Sequence, residues 1–124
     1  RAAAADLRDP EAELGEQIYR DHCASCHGVE LEGQPGGQRS LPDGGLSAPP
    51  HGVDGHTWRH PDRLLFEITK FGGQALAPPG HKSNMPAFGE TLSDEEIWTV
   101  LAYIKSRWPE EIRARQAEIT RANP

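Results

Sequence analysis

The string Cys23-Ala24-Ser25-Cys26-His27 contains both cysteines of this 124-residue chain. Two thiols separated by two residues can bind a metal, form a redox pair or form a disulfide. A zinc site would need two further ligands, and a thioredoxin-like pair would need neighbouring strands, which the flanking sequence does not predict. A disulfide between cysteines so close in sequence would be strained and would close a very short loop. None of these alternatives accounts for the histidine that follows the second cysteine.

Covalent attachment of haem accounts for both cysteines and for the histidine. The C-x-x-C-H arrangement is the signature of c-type haem attachment. Cys23 and Cys26 would each add to one vinyl group and form a thioether, which would hold His27 against the iron as an axial ligand. The sequence therefore predicts one covalently bound haem c.

The composition agrees with a cofactor that fills part of the core. Apolar residues make up 35% of the chain, which also contains 13 glycines and 11 prolines. Such a sequence buries little side-chain surface, so a large apolar ring would supply some of the missing core. The length fits one domain. The net charge of −6 argues against nucleic acid and anionic membranes as partners, and no apolar run is long enough to span a bilayer.

Apolar spacing predicts helices over about residues 9–23 and 61–70. Ser93, with Glu96 three residues later, forms a capping box at the start of a third helix, whose apolar positions continue to Trp108. The fold class is therefore predicted to be all-α. Residues 28–60 and 72–92 are rich in glycine and proline, and we expect them to be loops that wrap a rigid group.

The charged residues 110–124 are predicted to form a C-terminal tail that is helical. Glu111 and Arg115 are spaced for an ion pair along such a helix. A solvated helix is favoured here over one that docks on the domain through Ile112 and Ile119.

Met85 is the candidate for the second axial ligand. It is the only methionine, it lies in the string Asn84-Met85-Pro86 before the third helix, and loop backbone can bring its sulfur to an iron. Its polar neighbours disfavour the alternative that it fills a gap in the core. The histidines are rivals: His22 is too close to the attachment site to reach the far face, and His81, four residues before Met85, is the strongest; the remaining ones are His51, His56 and His60.

This order of features resembles the class I c-type cytochromes over about residues 11–108: a helix, CASCHG, a Gly-rich loop, a short helix, NMPAF and a closing helix with LAYIKS. The resemblance implies a cytochrome c fold, with three to four helices and long Gly/Pro-rich loops around one covalent haem. We expect the chain to divide into a flexible N-terminal segment over residues 1–8, a cytochrome c domain over residues 9–109 and the charged tail over residues 110–124. The resemblance also implies that the first and last helices of the domain cross at Gly15, Tyr19 and Tyr103.

The resemblance further implies contacts between the protein and the haem. A proline carbonyl after CASCH accepts a hydrogen bond from Nδ1 of the proximal histidine in this family; the candidates are Pro42, Pro49 and Pro50, with Pro50 favoured. Trp58 and Arg59 are the candidate donors to the haem propionates. A role for Trp58 in packing under the long loop is equally consistent with the sequence.

The function implied is that of a monohaem electron carrier, not an enzyme in itself. Its iron would cycle between Fe(III) and Fe(II) with His27 and Met85 as axial ligands. We expect transient contacts with redox partner proteins, a monomeric chain and a periplasmic location in a bacterium, because haem is attached outside the cytoplasm. The acidic balance favours a basic or neutral partner. The alternatives are a haem-based ligand-binding sensor and a cytochrome domain of a larger oxidoreductase.

Overall fold

The computed structural model describes residues 10–34, 41–42, 48–52 and 55–124. The N-terminal segment predicted to be flexible, residues 1–8, lies outside the described residues. Within the described ranges the regular structure is helical and contains no strand, which confirms the all-α fold class.

Four long helices and two single-turn helices make up the described part of the chain. They are α1 (Pro10–His22), α2 (Ala24–His27), α3 (Asp62–Phe71), α4 (Gly73–Leu76), α5 (Asp94–Ser106) and α6 (Glu110–Ala122), and a 3₁₀ turn covers Thr57–Arg59. The long helices are those that the sequence predicts, with ends moved by one or two residues. The single turns α2 and α4 were not predicted, because four residues are too few to show a periodic pattern.

Helix α1 crosses α5 at Gly15. A Cβ atom at Gly15 would lie 2.8 Å from the carbonyl oxygen of Thr99 and 2.8 Å from Cβ of Tyr103, so the two backbones meet where a side chain is missing. Next to this point the rings of Tyr19 and Tyr103 pack with their centroids 5.6 Å apart, and both residues are buried. The hydroxyl of Tyr19 donates to the carbonyl of Gly28 over 2.7 Å, which ties the crossing to the chain just after the cysteine pair.

Helix α5 supplies more of the core than any other helix. Ser93 caps it as predicted: its hydroxyl accepts from the Glu96 amide, and the Glu96 carboxylate accepts from the Ser93 amide. The apolar positions that follow are all buried, namely Ile97, Val100, Leu101, Ile104 and Trp108. The helix therefore begins at a defined residue and presents one continuous apolar face to α1 and to the loops.

Helix α6 is docked on the domain, and the expectation of a solvated helix is wrong. Gln116 is 1% exposed, and its Nε2 donates to the carbonyl of His60 over 3.0 Å and to Oδ1 of Asp62 over 2.8 Å. Ile112 packs against the core, as the less favoured alternative had it. A buried glutamine with satisfied hydrogen bonds does not show in a hydrophobic pattern. The charged composition of the tail therefore favoured a solvated helix, although the helix is docked.

Asp62 makes this docking sensitive to acid. Burial alone would raise the pKa of its carboxyl, but hydrogen bonds from Lys105 and Gln116 outweigh burial and hold the pKa below its usual value. Stability from a lowered pKa is complete above the unfolded value of about 3.9 and is lost as the pH falls through the folded pKa. We therefore expect Asp62→Asn to lower the free energy of unfolding by about 1 kcal/mol at pH 6, with the difference shrinking as the pH falls below about 4.

Urea unfolding of the haem-loaded protein at a series of pH values measures this difference. Asp94→Asn is the matched control, because the Asp94 carboxylate also pairs with a lysine, Lys70, but is exposed. It should change stability little at any pH. An Asp62→Asn difference of the same size at pH 3 and pH 6 would contradict the assignment.

Candidate haem-binding site

The end of α1 leads directly into the cysteine pair. The amide of Cys23 still bonds to the Tyr19 carbonyl over 2.9 Å, and the His27 amide bonds to the Cys23 carbonyl over 2.9 Å, so α2 is one further turn. Gly28, with φ of 89°, ends that turn. Local helix formation therefore places Cys23, Cys26 and His27 on one short, fixed piece of backbone.

Both thiols in this turn are free, Cys23 partly buried and Cys26 exposed. Burial raises the pKa of the Cys23 thiol to about 11, and the neighbouring Cys26 adds to the rise. Among the described residues, no group of three or more His, Cys, Asp or Glu side chains is placed to hold a metal ion. Two free thiols beside a histidine are the donor set that thioether attachment of haem requires.

His27 is held in the tautomer that a metal ligand needs. It is buried, and its Nδ1 lies 2.8 Å from the carbonyl oxygen of Pro49. Because a carbonyl only accepts, Nδ1 must carry the proton, which leaves the lone pair on Nε2. Burial lowers the pKa of the ring, although the bond to Pro49 works in the opposite direction. His27 is therefore neutral near pH 7, with Nε2 able to bind iron.

The carbonyl that meets His27 belongs to Pro49, whereas the sequence favoured Pro50. Hydrogen bonds on either side fix the register. The amide of Ala48 donates to Oε1 of Gln34 over 2.6 Å, and the carbonyl of Ala48 accepts from the Gln34 amide over 3.0 Å. The Ala48 carbonyl is thus already occupied, and the next one along the chain, that of Pro49, faces His27. Pro50 instead packs its carbonyl closely against Gly55.

Gly33 allows this approach of the two chain segments. Its φ is 81°, and a Cβ there would lie 2.7 Å from the nitrogen of Pro50 and 3.0 Å from the carbonyl oxygen of Ala48. Only glycine combines this backbone conformation with so close a contact. Gly33 therefore has a direct role in bringing Pro49 to His27.

His51 lies flat against His27. The two ring centroids are 3.9 Å apart with an angle of 30° between the planes. Nδ1 of His51 shares a hydrogen bond of 2.6 Å with Oγ1 of Thr57. Burial lowers the pKa of His51 to about 3, and the adjacent His27 contributes to the lowering, so both rings are neutral near pH 7. From the sequence, His51 is a candidate only as a rival axial ligand, and Thr57 is not predicted to lie in the site.

Trp58 and Arg59 follow Thr57 in the 3₁₀ turn and so lie close in sequence to a residue that touches His51. The Arg59 guanidinium carbon is 5.1 Å from the centre of the Trp58 ring. Trp58 is partly buried against the core, and Arg59 is exposed. The propionate role predicted for Trp58 and Arg59 stays a prediction; the structure places both residues in the turn whose Thr57 contacts His51.

Met85 is held by a different part of the fold, the region where α3 ends and α4 begins. Its carbonyl accepts from the Gly73 amide over 3.1 Å, and its amide donates to Oγ of Ser83 over 3.3 Å. A Cβ at Gly73 would lie 3.3 Å from Cβ of Met85, so the loop lies directly on this turn. Just beyond, the Phe88 amide donates to the Thr69 carbonyl over 3.0 Å. The methionine is therefore partly buried in a loop with a defined path.

The four other histidines considered as rival ligands have positions and contacts of their own. His56 and His81 are exposed, and the carbonyl of His81 accepts from Nε2 of Gln74. His22 makes an edge contact with Phe88, and the backbone of His60 accepts from α6. These positions suit surface and packing roles.

The structure brings together His27, Pro49, His51 and Thr57, a cluster that the sequence predicted only in part. Trp108 completes it: its Nε1 donates to the carbonyl of His51 over 2.7 Å. The sequence placed Trp108 on the apolar face of the last helix, but not its hydrogen bond. No motif carries that information, since the loop and the helix are far apart in the chain.

Comparison with known proteins identifies the family of the chain. The family model for cytochrome c matches residues 12–108. A thiosulfate dehydrogenase of Stutzerimonas stutzeri (strain A1501) is 34% identical over 94 residues, which are 74% of this chain and 26% of that protein. The chain thus spans about a quarter of the length of that relative. No solved structure matches the chain significantly. The chain belongs to the cytochrome c family, and it transfers electrons through a covalently bound haem c.

Proposed function

We propose that the chain is a monohaem one-electron carrier in which Cys23 and Cys26 hold the haem and His27 and Met85 are the axial ligands. The observation that supports it best is the hydrogen bond of 2.8 Å from Nδ1 of the buried His27 to the Pro49 carbonyl. That bond directs Nε2 away from the backbone and raises the basicity of the ring, as the hydrogen-bond partners of metal-bound histidines generally do.

When bound, the haem supplies an iron that gains and loses one electron. The residues of the chain set the conditions for that exchange. His27 is held in one tautomer. Met85 lies in a loop and is hydrogen-bonded through both its amide and its carbonyl. Two fixed ligands leave little room for rearrangement between redox states, and a thioether ligand favours the reduced state relative to two imidazoles.

The ferric absorption spectrum tests this ligation. We expect the long-wavelength charge-transfer band that arises from a methionine sulfur on ferric haem iron, and no binding of carbon monoxide to the ferrous protein at neutral pH, because both axial positions are filled. A protein that lacks the band and binds carbon monoxide readily would instead be a ligand-binding haem protein. The spectrum therefore separates the carrier from the sensor alternative.

The second candidate is a cytochrome domain or subunit of a larger oxidoreductase. This candidate is supported by the similarity to the protein named thiosulfate dehydrogenase, in which the matched region makes up 26% of the length. A chain with that role would accept electrons from a catalytic domain or subunit, and thiosulfate alone would not reduce it. Reduction by dithionite but not by thiosulfate would fit both the free carrier and such a domain. Reduction by thiosulfate alone would make the chain an enzyme.

We propose further that the chain works as a monomer in the bacterial periplasm and meets its redox partners transiently. The support for the location is chemical, since thioether attachment of haem takes place outside the cytoplasm. None of the helices in the described part of the chain is long and apolar enough to cross a membrane. We assign residues 9–109 to the cytochrome domain and treat the C-terminal helix, docked through Gln116, as an extension of it.

A further inference from the structure

We propose that His51 is a positioning residue for the axial histidine, and that it sets the plane of the His27 ring. The proposal rests on the ligation proposed above, in which Nε2 of His27 binds the iron. It assigns a role to a histidine that the attachment motif does not include and that lies 24 positions further along the chain, at 51 against 27.

One hydrogen bond does not fix an imidazole. The bond from Nδ1 of His27 to Pro49 holds one atom of the ring, and the ring can still rotate through small changes in χ1 and χ2. The face of His51, at 3.9 Å and 30°, blocks that rotation on one side, because a turned His27 ring would overlap with it. The stacking contact and the hydrogen bond together narrow the range of orientations open to the His27 ring.

His51 can act in this way because it is itself held at three points. Its amide donates to the Leu31 carbonyl over 2.9 Å, and its carbonyl accepts from Nε1 of Trp108 over 2.7 Å. Its Nδ1 is bonded to Oγ1 of Thr57, whose side chain is buried. Leu31 has a φ of 64°, which costs energy in a non-glycine residue and is tolerated here where its carbonyl meets His51. A side chain anchored in this way is a rigid surface.

The test uses three substitutions in the haem-loaded protein. His51→Ala removes the ring, Thr57→Val removes the hydrogen bond with little change in shape, and His51→Phe keeps a flat ring. The control is His56→Ala, which removes an exposed histidine of the same loop. The readouts are the g values of the ferric protein in electron paramagnetic resonance and the hyperfine-shifted haem methyl signals in proton NMR, both of which depend on the planes of the axial ligands.

We expect His51→Ala to change the order and spread of the haem methyl signals and to broaden the electron paramagnetic resonance signals that give the g values. The sulfur charge-transfer band should stay. Thr57→Val should move the signals in the same direction by less, and His51→Phe should restore part of the wild-type pattern. His56→Ala should leave all signals unchanged.

Wild-type methyl shifts and g values in both His51→Ala and Thr57→Val would overturn the proposal. If His51→Ala does not fold, Thr57→Val alone decides the matter, because its shape change is small. Absence of the charge-transfer band from the spectrum of the wild-type protein would instead overturn the ligation by Met85. Failure of the positioning role and failure of the proposed function therefore give different results.

Discussion

Replacement of Met85 by alanine is expected to open the sixth coordination position and to lower the reduction potential. Alanine offers no donor atom, so the charge-transfer band of the ferric protein should disappear and the ferrous protein should bind carbon monoxide at neutral pH. The potential should fall because the soft thioether no longer stabilises the ferrous state. Axial ligands set haem potentials over a span of about 0.8 V, so the change should be easily measured by redox titration.

His81→Ala is the matched control, because His81 is the strongest rival ligand and lies four residues earlier in the same loop. It is exposed, so its removal should leave the band and the potential as they are. Met85→His should keep the iron six-coordinate without the sulfur band and with a lowered potential. A normal band in Met85→Ala, or its loss in His81→Ala, would refute the assignment of Met85.

Gly15→Ala is expected to destabilise the fold even though alanine is the better helix former. In a free helix the change would add about 0.5–1 kcal/mol of stability. Here the new methyl group would lie 2.8 Å from the backbone oxygen of Thr99 and from Cβ of Tyr103, neither of which can move without shifting α5. Overpacking of this kind costs about 1–3 kcal/mol, so the net effect should be a loss. Urea unfolding of the haem-loaded protein measures it.

Gly52→Ala is the matched control for this substitution. Gly52 has no positive φ, and the nearest atom to its added Cβ would be the Leu31 carbonyl oxygen, at 3.9 Å. The same chemical change should therefore be close to neutral there. Equal stabilities of the Gly15→Ala protein and the wild type would show that α1 and α5 can separate at this point, contrary to the contact in the structure.

The fold was largely predictable because its signals are local. The capping box at Ser93 and the apolar positions up to Trp108 define α5 within one stretch of chain, and the structure has both features. The docking of α6 was not predictable. It depends on the buried amide of Gln116, and the bonds of that amide to His60 and Asp62 join residues more than fifty positions apart. Hydrophobic spacing contains no information on such a contact.

The candidate site divides in the same way. Cys23, Cys26 and His27 follow from one motif, whereas Pro49 and Pro50 cannot be told apart by residue type. The choice between the two carbonyls is made by register, which the bonds between Gln34 and Ala48 fix. His51 carries no local signal for its place, since any partly buried loop histidine looks the same in the sequence. Tertiary hydrogen bonds determine which proline carbonyl meets His27 and where His51 lies, and residue type alone determines neither.

The paired bonds between Gln34 and Ala48 also have a consequence for protein engineering. They join Gln34 directly to Ala48, so contacts outside the stretch between these two residues set the position of the Pro49 carbonyl. Insertions between Gln34 and Ala48 should therefore leave the ligand environment intact. A second electron-transfer module or a surface-binding peptide grafted there would be attached close in sequence to Pro49, whose carbonyl meets His27.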